Sequence, residues 1–145
     1  MEPARSALLI ERLERTLHAR SEVLDAYLFG SRARGDARIE SDVDVAVYVD
    51  RKYASEAAFG YAAELATVLA PAVGRERVDV VILNEAPPLL YHGVLRDGIR
   101  LITRDPRATT GREGQALSRY CDYVPQLRKI EAAHARRIDR GSFGR

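Results

Sequence analysis

Asp42-Val43-Asp44-Val45-Ala46-Val47-Tyr48-Val49 alternates with a strict period of two. Successive side chains of a strand point to opposite faces, so the four valines share one face, and Asp42 and Asp44 share the other with Ala46 and Tyr48. The spacing predicts a strand with one core side and one side that opens on a pair of carboxylates.

The neighbours of this strand are read in the same way. Upstream, Val23 to Phe29 is short and rich in β-branched and aromatic residues, and Gly30-Ser31 ends it in a tight turn with room for one helical turn over Arg32 to Gly35. Before it, Leu9, Ile10, Leu13 and Leu17 recur at helical spacing and predict an amphipathic first helix over Ala7 to Leu17. Downstream, Ala58, Ala62, Leu65 and Leu69 predict a helix from Ala54 to Leu69 that stops at Pro71 and Gly74. Arg77 to Leu83 alternates again as a third strand, with Asp79 opposite the face of Val78, Val80 and Ile82. A proline-initiated helix from Pro87 and Pro88 to Gly98 leads into a last strand over Ile99 to Thr103. From Gly111 onward the pattern is helical. Leu117, Tyr120, Val124, Leu127 and Ile130 can share a face that core packing is expected to cover, a docking surface being the alternative, and Pro125 is expected to kink or split that helix.

With 145 residues, 46% of them hydrophobic, the chain can bury a core without staples. The expectation is one domain over residues 1–145, with a core at about 21–104 and a C-terminal helical segment at about 107–140. A net charge of +2 does not mark a nucleic-acid binder, and the arginines after Arg104, Arg112 among them, read as a solvated helix face. Cys121 cannot form an intrachain disulfide, and one Cys with the scattered His18, His92 and His134 offers no zinc spacing. The charged N-terminus has no apolar run for a signal or a membrane span, so a reducing, cytoplasmic setting is expected.

Three features carry chemistry. Two carboxylates two residues apart on a strand lie roughly 6 to 7 Å apart along the backbone, and their side chains can close on metal ions spaced about 3.5 to 4 Å. Such like charges repel unless a cation joins them, and Mg suits all-oxygen ligands that include phosphates. Asp79, flanked by Val78, Val80 and Val81, needs compensation if its strand is buried, or water if the strand lies at an edge. A Gly-Ser turn after a strand is an ordinary helix start by itself. It also presents a hydroxyl and backbone N–H groups where a phosphate is favoured.

Gly30-Ser31-Arg32-Ala33-Arg34-Gly35 followed by Asp42-Val43-Asp44 resembles the Gly-Ser and Asp-x-Asp signature of the nucleotidyltransferase superfamily related to DNA polymerase β. The form of this stretch, with Val78-Asp79-Val80-Val81-Ile82-Leu83-Asn84 later, is similar to the minimal MNT-domain antitoxins of HEPN/MNT (HepT/MntA) toxin–antitoxin pairs. The resemblance runs from about Val23 to Thr103. It implies an α/β (α+β) fold, a small mixed sheet with helices packed mainly on one face. It implies two Mg ions held by Asp42, Asp44 and Asp79, these three being the catalytic residues, and ATP phosphates gripped by Gly30 and Ser31 with Arg34 adding charge. The implied reaction is AMP transfer from ATP to a tyrosine of a HEPN ribonuclease toxin, the protein partner, with no membrane or direct nucleic-acid contact. The alternatives are a small-molecule nucleotidyltransferase of the aminoglycoside type and an antitoxin that neutralises by binding alone.

Overall fold

The structure, a computed structural model, describes residues 3–30, 33, 42–54, 58–74 and 77–139. In chain order its elements are α1 (Pro3–His18), β1 (Val23–Phe29), β2 (Val43–Val49), α2 (Arg51–Ala54), α3 (Ala58–Val73), β3 (Val78–Ile82), a 3-10 turn (Leu83–Glu85), α4 (Pro88–Asp97), β4 (Ile99–Thr103) and α5 (Pro106–Asp139). The four strands form one mixed sheet in the order β3-β2-β1-β4. β1 runs antiparallel to both β2 and β4, while β2 and β3 are parallel and are joined through the α3 crossover that parallel strands require.

The alternation in β2 decides the layering. Val43, Val45, Val47 and Val49 are fully buried beneath Leu13 and Leu17 of α1 and Tyr61, Leu65 and Leu69 of α3, with Val23, Ala26 and Leu28 of β1 beside them. Each valine withdrawn from water in this way contributes about 1.5 kcal/mol or more. The other face carries a smaller layer, where Tyr27 and Ala46 meet Leu83, Tyr91 and Val94 from the α4 side and Ala116 from α5. The fold is therefore the expected α/β arrangement with its main helical layer on one face.

Polar side chains tie the α1–β1 connection to the end of β4, and the end of β2 to the 3-10 turn. Arg104 donates to the carbonyls of Leu17, His18, Arg20 and Val23 at 2.6 to 3.1 Å, closing the C-terminus of α1 with a cation. Asn84 donates to the Val49 carbonyl at 2.7 Å and accepts from its N–H at 3.0 Å, so a side chain extends the β2 ladder past the end of β3.

Several boundaries differ from the sequence expectation. α3 passes through Pro71 and ends at Gly74, whose φ of +67° turns the chain and whose N–H reaches the Pro71 carbonyl at 3.2 Å. A proline in the final turn removes a single ladder bond, so it does not stop the helix. α5 begins at Pro106 rather than Gly111, because Asp105 receives the N–H groups of Arg107 and Ala108 at 3.2 and 3.4 Å and proline suits the first helical position. Nor is α5 split at Pro125. Its apolar stripe is not a core face, since Leu117 is 50% and Ile130 62% exposed.

Arg112 also departs from expectation. It does not belong to a solvated face: its guanidinium reaches across to β1 and binds Asp25 at 2.7 and 2.9 Å, lying over the Tyr48 ring at 4.9 Å. Thr109 donates its hydroxyl to the same carboxylate at 2.6 Å. One turn on, Glu113 accepts from the Tyr27 hydroxyl and from Arg100, each at 2.6 Å. Burial, and then this carboxylate, push the Tyr27 phenol well above its ordinary range, so it stays a donor. These bonds fix α5 to the same sheet face that carries Asp44.

Candidate active site

β1 ends at Phe29, and Gly30 takes φ +74°, a left-handed turn that glycine adopts without strain. Phe29 pairs with Asp44 in the antiparallel register, which brings the Gly30 turn beside the start of β2. The approach is close. A Cβ on Gly30 would collide with the Asp44 carboxylate oxygen and stand 3.2 Å from its Cγ. Glycine at this position is thus demanded twice, by backbone conformation and by the side chain of Asp44.

In the parallel pairing of β2 with β3, Asp44 stands directly across from Asp79, and Val43 across from Val78. Neighbouring strands lie about 4.8 Å apart, so two like-charged side chains project from adjacent positions on one face. Asp42 immediately precedes β2 on that face. Asp42 and Asp44 are half-buried, whereas Asp79 is exposed. The exposure of Asp79 follows from topology: β3 is an edge strand, so water solvates this carboxylate and the reading of an edge strand applies in place of a buried one. Ser31 and Arg34, expected at the phosphates, lie outside the described residues, as do Arg32 and Gly35 of the expected helical turn.

Among the described residues, no three His, Cys, Asp or Glu side chains are gathered into a closed metal cluster. The donor set nevertheless suits Mg. Asp44 and Asp79 offer hard carboxylate oxygens at the same end of the sheet with Asp42 next in line, and a Mg site that also takes substrate phosphates and water needs only one or two protein carboxylates. The facing like charges favour a cation between them.

Sequence reasoning passed over Asp25. It sits in Val23-Leu24-Asp25-Ala26-Tyr27-Leu28-Phe29, a carboxylate in an apolar strand, and it is fully buried with Arg112 and Thr109 as its partners. The rule that a buried carboxylate must be compensated applies to Asp25 and not to the exposed Asp79.

A mixed sheet with this topology, carrying carboxylates on adjacent strands beside a glycine turn, is the arrangement that the sequence resemblance implies for a nucleotidyltransferase. The family model for polymerase beta nucleotidyltransferases matches residues 11–107, and the chain belongs to that family. Among solved structures, it resembles a chain of the complex between the tri-AMPylated HEPN toxin of Shewanella oneidensis and an MNT antitoxin, with a TM-score of 0.64 at 22% identity, covering 88% of this chain and 98% of the other. A toxin–antitoxin structure with AMP-PNP gives a TM-score of 0.57 at 23% identity, covering 90% and 95%. An MntA–HepT toxin–antitoxin structure gives 0.55 at 22% identity, covering 92% and 96%. These likenesses show a shared fold over nearly the whole of each chain. No curated protein sequence matches this one.

Proposed function

We propose that this nucleotidyltransferase is a cytoplasmic, single-domain antitoxin that transfers AMP from ATP to a tyrosine hydroxyl of a HEPN ribonuclease toxin, in a reaction that requires Mg. The observation that carries the reading is the placement of Asp44 opposite Asp79 and against the Gly30 turn. The fold it shares with the MNT antitoxin complex of a tri-AMPylated HEPN toxin supports the choice of acceptor, and the AMP-PNP complex supports the choice of nucleotide.

Asp42, Asp44 and Asp79 would hold two Mg ions, and Gly30 and Ser31 would grip the β- and γ-phosphates with Arg34 beside them. Bound Mg supplies charge stabilisation at the entering and leaving oxygens of an in-line displacement. The residues of this chain orient the reaction. The carboxylates on one sheet face would supply oxygen ligands to the cation rather than to the phosphate itself, and the open edge at Asp79 leaves room for an incoming hydroxyl. As the acceptor oxygen bonds to the α-phosphorus, the bond to the β-phosphate oxygen breaks and pyrophosphate departs, while the hydroxyl proton passes toward the Asp79 carboxylate.

Mass spectrometry of the HEPN partner incubated with this protein, Mg and ATP tests the reading. Addition of AMP to a partner tyrosine, lost with Asp42→Asn and with Asp79→Asn, is the expected result. A stable complex without added mass would overturn transfer in favour of neutralisation by binding alone.

A further inference from the structure

α5 spans about 50 Å at 1.5 Å per residue, far more than the sheet it packs on. Its first turns are fixed by the Arg112 and Glu113 contacts and by Ala116 in the smaller core. His92 of α4 then stacks on Tyr120 with ring centroids 3.6 Å apart and planes within 4°. Around and beyond that point Leu117 and Ile130 are exposed, while Tyr120, Val124 and Leu127 between them are half-buried. Leu117, Tyr120, Val124 and Leu127 are spaced three, four and three apart, the period of a helix–helix seam, and Ile130 extends the stripe. Leu117 and Ile130 are among the most exposed large apolar residues described. At the Leu117 end the stripe borders a cleft of about 560 Å³ between α4, β4 and α5, walled by Leu95 and Tyr27 and large enough to seat an anchoring side chain.

Charge decides what covers this face. From Leu117 to Arg137, the helix carries Arg119, Arg128, Lys129, Arg136 and Arg137 against only Asp122 and Glu131. Two copies of such a surface would set cation against cation, so self-association is disfavoured and an acidic partner is matched. The geometry points to the apolar stripe of α5, open at Leu117 and Ile130 and half-buried between them, as the docking surface for an amphipathic helix with acidic flanks on a different protein. Resting on the transfer reading above, that helix belongs to the HEPN partner, held by a surface separate from the carboxylates that modify it.

The test measures affinity of the full chain for the purified HEPN partner by titration calorimetry, with Leu117→Asp, Ile130→Asp and a charge reversal at Arg128 and Lys129. The expected result is at least tenfold weaker binding for each apolar substitution. The charge reversal should weaken binding and flatten its salt dependence, with thermal midpoints and AMP transfer at saturating partner unchanged. Amide exchange that slows over residues 117–130 on binding would support the same surface without any substitution. Wild-type affinity in all variants, with transfer intact, would overturn the docking surface and leave the transfer reading standing. A dimer of the chain alone that these substitutions dissolve would overturn it in favour of a second copy. A wild-type chain that neither binds nor modifies the partner would sink both readings together.

Discussion

Arg112 of α5 closes a two-bond ion pair on Asp25 of β1, at 2.7 and 2.9 Å, where the Asp25 side chain has no solvent exposure. The pair crosses from a helix to the sheet face opposite the main core, so it fixes α5 relative to β1. Removing one partner strands a charge that the remaining groups cannot solvate. Arg112→Ala is therefore expected to cost about 3–5 kcal/mol, whereas a matched apolar replacement of Asp25 and Arg112 together should be close to neutral. Chemical denaturation of the two variants checks this. Equal destabilisation of the single and double variants would show that packing, not the stranded charge, governs the site.

Gly30 gives a prediction of a different kind. Alanine there must adopt φ near +74° and push its Cβ into the Asp44 carboxylate. The backbone term alone costs roughly 1–2 kcal/mol, and the collision moves the side chain proposed to hold Mg. Gly30→Ala should lower both the thermal midpoint and the rate of transfer. Gly74→Ala, which shares the positive φ but meets nothing within 4 Å, should lower only the midpoint. Loss of transfer in Gly74→Ala as well would show that stability, not the contact with Asp44, limits activity.

These two positions show what the sequence makes legible and where it stops. The valine alternation of β2 predicts its buried face, and the strand bounds of β1 and β4 follow from their apolar runs and the glycines beside them, because local pattern and tertiary burial agree there. The carboxylates of Asp42 and Asp44 stand out for the same reason. The direct opposition of Asp44 and Asp79 depends on strand order and register, which no local pattern encodes. No local pattern marks Asp25, because its compensation comes from Arg112, remote in sequence, and Arg112 in turn looks like one of many helix-surface arginines. α3 overruns Pro71 because a proline in the last turn disturbs little. The stripe on α5 has the periodicity of a core face, and periodicity cannot say whether the covering surface lies in this chain or another.

Acid should loosen the crossover helix. Burial raises the Glu22 pKa, but its own backbone N–H, the Tyr61 hydroxyl at 2.8 Å and the Arg20 guanidinium at 3.0 Å outweigh that and hold the carboxyl below its ordinary value. A group depressed in the folded state adds stability above its unfolded pKa of about 4.3, and that stability is lost as pH falls through the lower folded value. Glu22→Gln should therefore reduce stability at neutral pH and flatten the decline below about pH 4. Thermal midpoints measured between neutrality and strong acid would show it. Parallel curves for the two proteins would place the acid sensitivity elsewhere.

The opposition of Asp44 and Asp79 predicts a trade between stability and activity. Like charges directly across a strand pair are destabilising. Asp79→Asn, at an exposed edge position, should then raise the thermal midpoint of the metal-free protein while lowering transfer by more than about 100-fold, the upper range for loss of a mere outer-shell partner. The same variant should lose most of the midpoint increase that Mg and ATP together give the wild type, since that increase measures ligand bound to the folded state. Asp50→Asn is the control, because Asp50 is an exposed carboxylate just after β2, at the end away from Asp44. It should leave both the ligand-induced shift and transfer unchanged. If Asp79→Asn retained the full Mg-dependent shift, Asp79 would not be a metal ligand. Its part in transfer would then narrow to accepting the proton of the incoming hydroxyl, which a steep pH dependence of the residual rate would reveal.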